Sequence, residues 1–168
     1  VDSGTPVAGT DTIYTDPVTG ITLHYDSTWD VVQEATVDGT PTLELTNGTS
    51  NLTFRAIPLA ADRPLNGAVD DAVAALAADP TLADVAIATD NDGDPIRSDG
   101  VRSSGVLVVA FGEDENGDDI ELRYYIEVRA ITNQPDGLLI IHRAPAESYT
   151  DEIGARTKIT TTIVYPTR

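Results

Sequence analysis

The chain has 168 residues, no cysteine, no methionine and a net charge of −18, from 28 Asp plus Glu against 10 Lys plus Arg. A chain of this length is most simply one domain that buries roughly 70% of its unfolded surface. The missing cysteines exclude disulfides, thiolate metal sites and a cysteine nucleophile, and the acidity disfavours nucleic-acid phosphate and anionic membranes as partners. Lys158 is the only lysine. Such a surface suits solubility at high ionic strength, where self-repulsion is screened. A GC-rich genome would give the same composition. No apolar run is long enough to span a bilayer.

Residues 1–11, VDSGTPVAGTD, are small, polar and rich in Gly and Pro, which is linker composition. With no methionine at position 1, they read as a tether behind a removed signal peptide or a lipidated cysteine. The expectation is a flexible linker over 1–11, a single domain over 12–168, and a place outside the cytoplasm, secreted or lipid-anchored.

GITLHYD, residues 20–26, alternates with Ile21, Leu23 and Tyr25 inward. PTLELT (41–46) and NLTFRAIPL (51–59) repeat the pattern, joined at Asn47-Gly48, the strongest short hairpin signal in the chain. The period then changes. Val69, Ala72, Val73 and Leu76 mark one helical face, with Asn66 as the expected N-cap, Asp70 and Asp71 near the positive dipole end, and Asp79-Pro80 as the stop.

Strand texture returns at 85–89, 101–111 and 120–131, the last alternating around Leu122, Tyr124, Ile126 and Val128. Asn116-Gly117 is the natural tip between the two long strands, and 138–141 reads as buried on both faces. The last segment is ambiguous. Ser148 or Thr150 caps a helix with Asp151 and Glu152 in its first turn and Tyr149, Ile153, Thr157, Thr160 and Val164 near one face, yet the β-branched run 159–164 favours strand. The cap and the length favour the helix. The order of elements reads as α+β, a mainly antiparallel sheet covered by helices.

Three stretches resemble the Mog1/PsbP-like family. YTDPVTGITLHYDSTWDVV, residues 14–32, looks like its opening hairpin, with Gly20, Ile21, Leu23, Tyr25 and Trp29 followed by a third strand. A single helix follows the early strands. The close is a short apolar strand, Ala-Pro-Ala-Glu (144–147), and a last helix. The resemblance covers residues 12–166 and implies an α/β/α sandwich of the bacterial secreted lipoprotein type, in a family of binding and assembly factors. No residue here matches a functional motif of that family.

The motifs that carry chemistry are few. Asp90, Asp92 and Asp94 fill positions 1, 3 and 5 of an EF-hand-like loop, but position 6 is Pro95 and position 12 is Val101. A loop started at Asp114 fails likewise at Asp119 and Tyr125. A calcium site outside the EF-hand pattern would use Asp90, Asp92 and Asp94 or, second, the 113–119 stretch, and the alternative reading makes Asp92-Gly93 and Asn116-Gly117 turn dipeptides. His24 and His142 come with no serine elbow, since VRSSG (101–105) lacks the first glycine. No phosphate-binding glycine loop is present, and Trp29 reads as core. The sequence therefore points to a non-enzymatic extracytoplasmic binding or assembly module for an unknown protein or small ligand. The alternatives are a secreted calcium-binding domain using the 90–94 loop and, further behind, a carboxylate-based hydrolase.

Overall fold

The computed structural model describes residues 11–37 and 39–166. The expected linker lies outside the described residues except for Asp11, which opens β1 (Asp11–Thr15) opposite Asp26 of β2 (Thr22–Asp26). This antiparallel pair forms its own two-stranded sheet. Its connection is held by the buried Asp16, whose Oδ1 accepts the backbone N–H of Val18 (3.0 Å) and Thr19 (2.7 Å) and the Thr19 hydroxyl (2.8 Å).

The main sheet is antiparallel throughout, in the order β3 (Asp30–Val37), β4 (Thr40–Thr46), β5 (Asn51–Pro58), β10 (Asp136–Pro145), β9 (Asp119–Ala130), β8 (Ser103–Glu113), β6 (Ala83–Ile87), with β7 (Arg97–Asp99) also pairing with β8. The expected start of β8 at Val101 is displaced. Val101 is fully exposed in a bend, and pairing begins at Ser103. β7 escaped the sequence reading because Arg-Ser-Asp carries no apolar residue.

α1 (Leu65–Ala77) lies over β9, β8 and β6. Val69 is fully buried there against Val106, Val108, Leu122, Ile126 and Val128. The opposite face of the sheet is covered by β1–β2 and by α2 (Tyr149–Thr160), around Leu23, Trp29, Leu45, Phe54, Ile140 and Ile159. β10 is central and feeds both halves: Leu139 faces the α1 side, Leu138 and Ile140 the α2 side. That two-sided burial explains its unbroken apolar run. The expected helix-covered α+β sheet is what the chain forms. Among the described residues, no helix is long and apolar enough to cross a membrane.

Two helix details differ from expectation. α1 begins one residue before Asn66, after Pro64 at φ −65°, ψ 151°, and has no side-chain cap. Proline fixes φ at a value that suits entry into a helix and offers no acceptor. Asp70 and Asp71 lie beyond the first turn and serve ion pairs with Arg97 and Arg63 instead. In the last segment both expectations hold in part. The helix ends at Thr160, and Val164 then makes an antiparallel bridge to Thr22. The inward face carries Tyr149 and Ile159, while Thr157 is exposed.

Candidate functional site

The acidic loops share one backbone design. In 90–94 the Asp90 N–H donates to the Asp94 carbonyl (2.9 Å) and the Gly93 N–H to the Asp90 carbonyl (3.1 Å). Asp90 Oδ1 accepts the N–H of Asp92 (2.9 Å) and Asp94 (3.0 Å). In 114–118 the same four bonds recur, with Asp114 Oδ1 accepting from Asn116 (2.8 Å) and Asp118 (2.9 Å). Gly93 and Gly117 take φ of 87° and 82°, the left-handed region glycine tolerates. The lead aspartate of each loop is thus an acceptor for its own turn. Those backbone bonds hold the Asp114 carboxyl below its ordinary range. Among the described residues, no group of three His, Cys, Asp or Glu side chains is placed to hold a metal ion.

The buried face of α2 is unusual in being polar. Arg156 stacks on Tyr125 of β9, its guanidinium carbon 4.3 Å from the ring centroid. Its Nη1 donates to the Tyr149 hydroxyl (3.3 Å) and faces Nδ1 of His142 at 3.4 Å. A guanidinium only donates, so Nδ1 is the acceptor and the ring proton sits on Nε2. Nε2 is buried with no partner. Burial, with the Arg156 charge beside it, pushes the His142 imidazole down to about 4. Glu152, one turn earlier, accepts from Asn47 Nδ2 (2.6 Å) and the Ser50 hydroxyl (2.8 Å) in the β4–β5 turn. His142 and Ser50 are both fully buried. This cluster locks α2 onto the sheet, with His142 at its centre shut away from solvent. His24, the other histidine, sits in β2, in the smaller sheet. Ser104 donates to Asp99 (2.5 Å), and among the described hydrogen bonds neither Ser103 nor Ser104 meets a histidine.

A groove opens on the other side of the sheet. α1 sits over β9 and β8, and its small residues Ala68 and Ala72 leave a wedge between the helix and β5. The groove has a volume of about 530 Å³, with Ile57, Leu59 and Leu139 on the sheet side. Two arginines line it. Arg63 at the rim is neutralised by a bidentate pair with Asp71 and also donates to the Gly67 carbonyl (2.9 Å). Arg55 projects from β5 on this face, opposite Thr42 and Leu139. Its Nε is buried without a hydrogen-bond partner. The sequence reading passed over Arg55, although a lone arginine in an apolar strand is a signal that it faces something other than the core.

Solved structures share this architecture. A point mutant of Mog1 superposes with a TM-score of 0.61 at 9% identity, over 92% of this chain and 95% of that one. The Saccharomyces cerevisiae Ran-binding protein Mog1p gives 0.58 at 9% identity, over 94% and 96%. The cyanobacterial PsbP (CyanoP) of Synechocystis gives 0.59 at 12% identity, over 99% and 98%. No family model and no curated protein matches the sequence. The chain has the Mog1/PsbP-like fold.

Proposed function

We propose that this chain is a non-catalytic binding module, working outside the cytoplasm, that seats its partner in the groove between α1 and β5. The observation that carries the reading is the groove itself: an apolar concavity with one cation that no described residue neutralises. Concave apolar sites with a few placed polar groups are the usual form of a binding site. The groove offers no histidine, serine or free carboxylate as a base or nucleophile, and its one acid, Asp71, is tied to Arg63. The neighbour in Saccharomyces cerevisiae is described as Ran-binding, which puts protein recognition within the reach of this fold. The extracytoplasmic placement draws on the small, polar, Gly/Pro-containing composition of residues 1–11, which is that of a tether.

The test is capture from the native envelope fraction with wild-type protein, with Ala72→Trp, which fills the groove, and with Val109→Trp on the opposite face as control. Loss of the captured species in Ala72→Trp alone supports the reading. Equal capture by all three places the partner elsewhere.

A further inference from the structure

Resting on that reading, we infer that the groove takes a single-chain amphipathic carboxylate, its acid head on Arg55 and its hydrocarbon body along Ile57, Leu59, Ala68, Ala72 and Leu139.

Charge sets the head group. Two cations line the groove, and only one of them, Arg63, has an acid partner among the described residues. Arg63 and Asp71 cancel each other at the rim. Glu44 shares the open face of the sheet with Arg55 but turns its Oε1 to Asn51 Nδ2 (3.0 Å) and forms no ion pair with Arg55. Arg55 makes no ion pair or hydrogen bond with any described side chain, and its Nε is already out of water. A buried N–H without an acceptor is costly to leave unmade. A guanidinium meets a planar carboxylate with two parallel hydrogen bonds, which a hydroxyl or an amide oxygen cannot match.

The walls set the body. Apart from Arg55, Arg63 and Asp71, every side chain lining the groove is aliphatic or proline, and none is aromatic. A flexible alkyl chain fills such a wedge, whereas a flat ring system would find no stacking partner. The volume of about 530 Å³ lies within the range of small-molecule sites.

The experiment uses 11-(dansylamino)undecanoic acid, below its critical micelle concentration, and its methyl ester, titrated by fluorescence against wild type, Arg55→Gln and Ala72→Trp. Circular dichroism and a thermal melt confirm that each variant is folded. Wild type should bind the acid at least about tenfold tighter than the ester, in line with a hydrogen bond to a charged group. Arg55→Gln should erase that preference while keeping ester binding, and Ala72→Trp should lose both. Equal affinity of wild type for acid and ester overturns the assignment of Arg55, and unchanged binding by Ala72→Trp overturns the site. Binding to phosphatidylglycerol vesicles without binding of the monomeric probe overturns the ligand class. If the probe fails but envelope capture remains sensitive to Ala72→Trp, this inference falls and the groove stays a partner site.

Discussion

The guanidinium of Arg156 rests on the face of Tyr125, 4.3 Å from the ring centroid, and thereby places a positive charge beside a histidine that has no room to become positive. The three groups belong to α2, β9 and β10, so one contact joins the terminal helix to two central strands. Replacing the arginine by a side chain of similar length removes the stack and the bond to Tyr149 together. Arg156→Met should cost about 1–3 kcal/mol in denaturant unfolding. It should also raise the His142 titration midpoint, since the arginine is the second cause of its depression after burial. Ring-proton NMR against pH reads the second effect. An unchanged midpoint would show that burial alone sets it.

His142 makes stability depend on pH. Its folded-state value is about 4 against an ordinary 6.5, so the unfolded chain binds a proton the folded chain refuses. The stability it contributes is full above 6.5 and is lost as pH falls from 6.5 towards 4. The loss across that window should be on the order of 2–3 kcal/mol. Urea unfolding at half-unit steps from pH 4.5 to 7.5 measures the slope, and His142→Phe should flatten it. The lowered carboxyls of Asp26, Asp79 and Asp114 act only as pH falls below their ordinary range, so they do not mimic this effect.

Glu152 fastens the first turn of α2 to the β4–β5 turn through Asn47 and Ser50. Glu152→Ala leaves the buried Ser50 hydroxyl with only a long contact to Asn47 Oδ1 (3.4 Å). The expected cost is about 1–3 kcal/mol. A double-mutant cycle with Ser50→Ala should show a coupling above about 0.5 kcal/mol, and additivity of the two changes would mean the bond contributes nothing.

Gly105 on β8 lies under the Tyr125 ring. A Cβ there would overlap the tyrosine hydroxyl, so Gly105→Ala must move the ring on which Arg156 rests. Overpacking of this kind costs about 1–3 kcal/mol. Pairing it with Tyr125→Leu should recover part of the loss. If the double variant is less stable than the sum of both changes, the clash is not the cause.

Calcium should leave the protein unmoved. Asp90 and Asp114 already spend an oxygen on two backbone amides each. A melt with calcium raised to millimolar levels should show no shift, because only a ligand held by the folded state raises the midpoint. A rise of several degrees would restore the cage at Asp90, Asp92 and Asp94. Gly93→Ala and Gly117→Ala, by contrast, should each cost about 1 kcal/mol from left-handed backbone.

The strands were readable wherever one face meets a core and the other does not. Leu122, Tyr124, Ile126 and Val128 are buried at every second position, as their alternation predicts. α1 was readable for the same reason, through Val69 and its helical neighbours. The reading slipped where local chemistry had two solutions. At the Asn47-Gly48 hairpin signal only Gly48 takes positive φ, while the Asn47 Oδ1 accepts the N–H of Thr49 and Ser50. The underside of α2 was hidden because a search for an apolar face passes over Glu152 and Arg156. Their partners lie 105 and 14 residues away in sequence, at Asn47 and His142. The groove was hidden because it is made by what α1 fails to cover, and no pattern within α1 or β5 records the gap between them.

The bridge between Thr22 and Val164, reinforced where Thr162 Oγ1 accepts the His24 N–H at 2.8 Å, binds the closing residues to the opening hairpin. Both ends of the described chain are therefore stitched to the α2 side of the sheet, and the groove looks the other way. The face that carries Arg55 is thus left clear of the closing bridge and of the opening hairpin.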